Sequence, residues 1–329
     1  MARVTVDPAV LPTPTFDDVV RARERIASHL RPTALYTYPS LNDVVGTELW
    51  VKHENHQPVG AFKVRGGINL VSQLSEGERH RGVIAASTGN HGQSIAYAAR
   101  LFSVKAVVCV PEKANPVKVE SMRGLGAEIV HSGRDYDDAR EHAEQLAAEH
   151  GYRYVHSGDE PHLIAGVATL SLEMLEDRPD LEVIFVPIGG GSGAAGACVV
   201  AAAHRPKPLV IGVQSSAAPA AYRSWKEGRL LEADNTTFAE GLATRTAFEL
   251  PQRILREHLD DFLLVGDDDI QRAQMLMIEK TRNLVEAAGA AALAGAISIR
   301  DRLQNKRVAV VCSGGNVSTA QLTALLADR

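Results

Sequence analysis

Residues 55–67 read NHQPVGAFKVRGG, and the lysine in the middle governs how the rest of the chain is understood. Lys63 follows Gly60, Ala61 and Phe62, and Gly66 and Gly67 come soon after Arg65. A lysine commonly occupies a solvated face with polar company, whereas this one stands among residues that suit a tight turn and close backbone approach. Immediately upstream, Leu49–Lys52 is an apolar, strand-like run, and downstream a helix is expected to begin near Val64. A turn between a strand and a helix is where open α/β sheets bind ligands, beyond the carboxyl ends of their strands. Read alone, Lys63 also fits a surface lysine that starts a helix.

The same order recurs along the chain. Further strands are expected at Gly82–Ala86, Lys105–Val110, Glu128–His131, Glu182–Pro187, Pro208–Val213, Asp261–Val265 and Arg307–Cys312. Amphipathic stretches lie between them, among them Phe16–Leu30, His91–Phe102, Tyr136–His150 and Ile270–Asn283, and Thr15 is a suitable cap for the first helix. Strands alternating with helices imply parallel, doubly wound sheets. With 329 residues and no repeat or long linker, two interleaved α/β domains are expected.

Three more strand-to-helix turns carry chemistry. In ASTGNHGQS, residues 86–94, Ser87, Thr88, Asn90 and His91 crowd a helix N-terminus, where backbone N–H groups hold an anion such as a carboxylate. Capping alone needs one of the four. In PIGGGSGAAG, residues 187–196, Gly189, Gly190, Gly191 and Gly193 remove nearly every Cβ, so successive N–H groups can close on a phosphate. Residues 191–196 also match GxGxxG, but the next strand ends at Val213-Gln214 without the acid a dinucleotide site needs. In VVCSGGNVS, residues 310–318, Ser313 stands at a strand end facing the same crevice; alone it reads as a helix cap. A lysine amine opposite a phosphate cup is the pairing that pyridoxal 5′-phosphate requires, since it brings an aldehyde and a phosphate together.

Composition excludes several other classes. Hydrophobic residues are 45% and charged residues 23%, the net charge is −5, and no basic cluster marks a nucleic-acid surface. The N-terminus lacks the apolar core of a signal peptide, and Ala287–Ile299 reads as a buried helix, not a membrane span. Cys109, Cys198 and Cys312 are scattered, so neither a disulfide framework nor a zinc site is indicated, and a cytoplasmic protein is expected.

The combination GAFKVRGG, STGNHGQ, glycine loop and SGGN, in this order, resembles the threonine dehydratase/serine racemase group of fold-type II, tryptophan synthase β-like, pyridoxal-phosphate enzymes. The resemblance spans about Phe16 to the last helix, and KHENHQPVGAFKVRGG is also similar to an ectoine-utilisation branch of dehydratase-like enzymes. It implies a large domain of residues 1–54 and 156–329, a small domain of residues 55–155, the cofactor in the cleft between them, and no C-terminal regulatory domain. Lys63 is then the Schiff-base lysine and Phe62 packs beside the ring. Asn90 bonds the cofactor's 3′ oxygen, Gly189, Gly190, Gly191, Ser192 and Gly193 hold its phosphate, Ser313 faces the ring nitrogen, and Glu286 lines the site. Ser87, Thr88, Asn90 and His91 hold the substrate carboxylate.

The implied activity is dehydration and deamination of a β-hydroxy amino acid such as L-threonine or L-serine to a 2-oxo acid and ammonia. The alternatives are a serine racemase and a dehydratase acting on another hydroxylated amino acid, such as one from hydroxyectoine breakdown. The family also implies a homodimer acting on a small-molecule amino acid, with no nucleic-acid or membrane partner. Relatives that use a divalent cation carry acids where this chain has Gln214 and Ala220, so no metal site is expected. Thr88 stands where the racemases have a serine. Its β-methyl and an expected capping bond both limit its hydroxyl, so elimination is expected to dominate over racemisation.

Overall fold

The computed structural model describes residues 11–327. All eight expected strands form, within a residue or two of their expected ends; most are apolar, β-branched runs of the kind that parallel sheets bury on both faces, whereas Glu128–His131, with polar ends, is a partly exposed edge strand. The ten strands among the described residues are β1 (Leu35–Thr37), β2 (Glu48–His53), β3 (Val83–Ala86), β4 (Ala106–Val110), β5 (Glu128–His131), β6 (Arg153–Tyr154), β7 (Val183–Pro187), β8 (Leu209–Ser215), β9 (Asp261–Val265) and β10 (Arg307–Cys312). They build a six-stranded sheet in the order β1-β2-β10-β7-β8-β9 and a four-stranded sheet in the order β5-β4-β3-β6.

The six-stranded sheet is not wholly parallel. β1 pairs antiparallel with β2, from Leu35 opposite Lys52 to Thr37 opposite Trp50, while every other pairing is parallel. β1 and β6, of three and two residues, escape sequence reading because they are too short to show alternation.

The first helix, Phe16–Ile26, begins at Thr15 as expected. The Thr15 hydroxyl accepts from the Asp18 N–H at 3.2 Å, and Asp18 Oδ2 accepts from the Thr15 N–H at 2.8 Å. Such a reciprocal cap contributes about 1 kcal/mol. The helix at Ala287–Ser298 is buried, as its composition implied, and no described helix is long and apolar enough to cross a membrane.

Lys63 sits just ahead of the helix Val64–Val71, which packs against the long helix Pro161–Asp177. Arg65 fixes that junction. Its guanidinium donates to Glu54 at 2.7 and 2.8 Å and to Glu173 at 2.6 and 2.7 Å. Lys52 also reaches Glu173, at 2.6 Å, and Thr33 donates to Glu54 at 2.6 Å. Arg65 and Glu54 are wholly buried and Lys52 is 1% exposed, so two positive and two negative charges are held in the interior as a neutral set. Burial alone would raise the Glu54 pKa, but Arg65 outweighs it and holds the carboxyl below its ordinary value. Phe62, one residue before Lys63, packs against the core clusters of both sheets and so lies on the seam between them.

Candidate active site

The ends of β2, β3, β7 and β10 deliver the four turns to one cleft of about 420 Å³. Phe62, Lys63, Ser87, Thr88, Asn90, His91, the five residues 189–193, Glu286 and Ser313 all line it.

Lys63 Nζ donates to the Ser157 carbonyl and to Ser192 Oγ, both at 2.9 Å, and no carboxylate is paired with it among the described residues. Loss of surrounding water pushes its pKa down from 10.5 to about 8. Its ammonium is 5.4 Å from the Phe62 ring centroid.

The glycine loop is shaped by close backbone approach. A Cβ on Gly189 would stand 2.3 Å from the Gly241 carbonyl, and one on Gly190 would stand 2.2 Å from the Phe248 ring. Gly191 has φ +87°, a left-handed value that favours glycine. The helix Ser192–Ala203 starts there, so its first N–H groups have no partner within the helix and form an anion site.

In the second turn the helix runs from Asn90 to Leu101. Gly89 is its N-cap residue, and the Ser87 hydroxyl does the capping from two residues upstream, accepting from Gly92 N at 2.8 Å and from Gly89 N at 3.1 Å. Thr88, expected to share that task, lines the cleft and makes no hydrogen bond of its own. Position along the turn decides this, because Ser87 sits under the first helical amides whereas Thr88 faces out. Asn90 is gripped at both ends, donating to Glu286 Oε1 at 2.7 Å and accepting from Asn316 Nδ2 at 2.8 Å. His91 Nε2 lies 3.1 Å from the Val155 carbonyl, so that nitrogen carries the proton. Burial, with Lys63 nearby, lowers its pKa to about 3. A neutral His91 leaves the backbone N–H groups of the turn to face any carboxylate.

Ser313, 5% exposed, is not a helix cap, since the helix after it starts only at Thr319. Its carbonyl accepts from Phe62 N at 3.0 Å, which ties the lysine turn to the end of β10. Glu286 is buried, and burial raises its pKa above the ordinary 4.5 against the pull of Lys118. Sequence reading passed over Asn316, although it belongs to the SGGN run, and gave no signal at all for Ser157, Lys118, Asn235, Thr244 or Phe248, which reach the cleft from loops and helix faces.

The pattern of the family described as "Pyridoxal-phosphate dependent enzyme" matches residues 26–314. This chain belongs to that family. Its cofactor is pyridoxal 5′-phosphate. The residues present fit the group: an anion cup that side chains would fill, a desolvated lysine amine 2.9 Å from the serine of that cup, and a buried serine at the end of β10. The enzyme is similar to L-threo-3-hydroxyaspartate ammonia-lyase of Saccharomyces cerevisiae, 36% identical over 96% of this chain and 97% of that one. It is 35% identical to L-threonine ammonia-lyase of Thermotoga maritima over 95% of this chain and 78% of the relative. The solved serine racemase of Dictyostelium discoideum superposes with a TM-score of 0.88 at 34% identity, covering 93% of this chain and all of that structure. The fold is therefore that of the fold-type II enzymes, as the sequence implied.

Among the described residues no group of three or more acidic, histidine or cysteine side chains is disposed to hold a metal ion. Gln214 is buried and accepts from the Tyr222 N–H at 2.9 Å.

Proposed function

We propose that this enzyme eliminates water from a β-hydroxy amino acid, giving a 2-oxo acid and ammonia. The observation that carries the reading is the Lys63 amine, desolvated, unpaired with any carboxylate and 2.9 Å from Ser192 at the phosphate cup. Pyridoxal phosphate, when bound, supplies an aldehyde that captures amines and a ring that draws electrons from the substrate Cα.

Residues 189–193 would hold the phosphate, with Phe62 beside the ring, Asn90 toward its 3′ oxygen and Ser313 toward its nitrogen. A serine there, in place of a carboxylate, leaves the nitrogen uncharged, which favours loss of a β-leaving group together with the Cα proton. Lys63 removes that proton. A pKa near 8 suits the task, because a base works best when its pKa lies close to the working pH. The amides of the Ser87–His91 turn orient the substrate carboxylate. The division into residues 1–54 with 156–329 around 55–155 and a homodimeric assembly belong to the same reading and rest on the family resemblance, and a cytoplasmic setting rests on the scattered cysteines and the N-terminal composition.

Racemisation is the second reading, and one observation favours it: the Thr88 hydroxyl, free of capping, lines the cleft. Its β-methyl still restricts rotation, so elimination is the main reaction.

The test is ammonia release from L-threonine and L-serine by the yellow holoenzyme, with chiral analysis of the residual substrate. Lys63→Ala should lose the borohydride-sensitive visible band and turnover, while EDTA leaves turnover intact. A wild type that inverts Cα as fast as it makes 2-oxo acid, with Thr88→Ala stopping only the inversion, would replace this reading with a racemase.

A further inference from the structure

We infer that Asn235 and Thr244 select the substrate by its side chain, and that they select an uncharged side chain extending beyond Cβ to a hydrogen-bonding group. This rests on the elimination reading and narrows its substrate class. Both residues line the cleft, and both belong to one closed loop. Its neck is tied by the Ala233 N–H to the Arg245 carbonyl at 3.0 Å and by an antiparallel bridge between Glu232 and Thr246. Thr244 precedes one side of that neck and Asn235 follows the other, so the two leave it together.

The Asn235 carboxamide oxygen and the Thr244 hydroxyl are shut off from solvent, yet neither has a hydrogen-bond partner among the described residues. Buried polar atoms are almost always satisfied, and leaving one unpaired destabilises the protein. His91 Nδ1, on another wall of the cleft, is unpartnered in the same way. With Nε2 protonated toward Val155, it can only accept. Three open positions in one wall-to-wall cleft call for a ligand that brings hydrogen-bonding groups of its own, donors among them. The methyl of threonine brings none.

Charge narrows the class further. Among the described residues lining the cleft the cations are Lys63, which is the reagent, and Lys118, whose ammonium is paired with Glu240. Glu286 stands in the wall as well. A second substrate carboxylate would therefore meet no free cation and would lie near two acids. A carboxamide or hydroxyl in the same place meets the open polar atoms instead.

The near-isosteric pair L-threo-3-hydroxyasparagine and L-threo-3-hydroxyaspartate separates the two cases, with L-threonine as reference. The probe is kcat/KM for ammonia release by the holoenzyme. Hydroxyasparagine should exceed hydroxyaspartate by about tenfold or more. Thr244→Val and Asn235→Leu should each lower the hydroxyasparagine-to-threonine ratio by roughly five- to tenfold, the worth of one hydrogen bond, and Thr244→Ser should restore it. Retention of the visible band by both variants shows that they fold and load cofactor; a variant without it is replaced by Asn235→Ser or Thr244→Ala. Preference for hydroxyaspartate, or a ratio that neither variant moves, overturns the inference while threonine turnover keeps the elimination reading standing. If none of the three releases ammonia, the elimination reading fails and this inference falls with it.

Discussion

At the root of the cleft Arg65 meets Glu54 and Glu173 inside the protein, whereas at the rim a buried Lys118 reaches out to a half-open Glu240, and Arg245 reaches Asp137 at the surface. Both regions join elements near the four-stranded sheet to elements of the six-stranded one by ion pairs. Their physics differs. The Arg65 and Glu54 side chains are wholly buried, so each charge depends on its partners for everything water would have given. Glu240 and Arg245 keep 40% and 52% of their side-chain surface, and water and salt screen what they gain. The root holds the helix that follows Lys63 in place through buried charges; each rim pair keeps at least one partner in contact with water.

The sharpest way to break this comparison is Arg65→Met, which strands two buried carboxylates beside Lys52. The expected loss is about 3–5 kcal/mol in denaturant unfolding. A loss of 1 kcal/mol or less would mean that the interior is wetter than its geometry implies.

The acid limb of stability comes next. The folded pKa of Glu54 is depressed below 4.5, so its contribution is complete above that pH and disappears as the pH falls through the folded value. Glu54→Gln should lose about 1.5–3 kcal/mol at neutral pH and show a shallower fall in stability below pH 4.5 than the wild type. An acid limb unchanged by the substitution would place the titrating group elsewhere.

At the rim, Glu240→Gln should cost about 1–2 kcal/mol, because the buried Lys118 ammonium keeps only a neutral partner while Glu240's own side faces water. It releases the charge of Lys118 into the cleft, so kcat/KM for L-threo-3-hydroxyaspartate should rise about threefold or more relative to its carboxamide analogue. Arg245→Ala is the smallest change. Stability should move by about 0.5 kcal/mol or less, and raising the salt to about 0.5 M should erase the difference from wild type while leaving the Arg65→Met deficit in place.

Much of the site was legible because it is local. Asn90, the loop 189–193 and Ser313 each stand in a short turn after an apolar strand, Lys63 follows its strand by a longer connection just ahead of a helix, and the parallel sheets bring the carboxyl ends of those strands together. The antiparallel β1 and the two-residue β6 were not legible, since too few side chains alternate to give a signal. Nor was the division of labour between Ser87 and Thr88. Neighbouring hydroxyls are equivalent on paper, and only the direction of the helix Asn90–Leu101 assigns the cap to Ser87.

The sequence by itself determined what depends on near neighbours: where strands and helices run, where glycine lets the backbone close on an anion, and which lysine stands beside that turn. The tertiary structure alone decided which polar groups lose their water and what replaces it. Lys52 and Glu173 are separated by 121 positions, and nothing in either segment announces the other. The same burial that makes their pairing necessary also lowers the pKa of Lys63 to about 8 and leaves Asn235 and Thr244 without partners in the cleft wall. Desolvation is a property of the assembled packing, because it is set by everything that surrounds a group and not by the residues on either side of it along the chain.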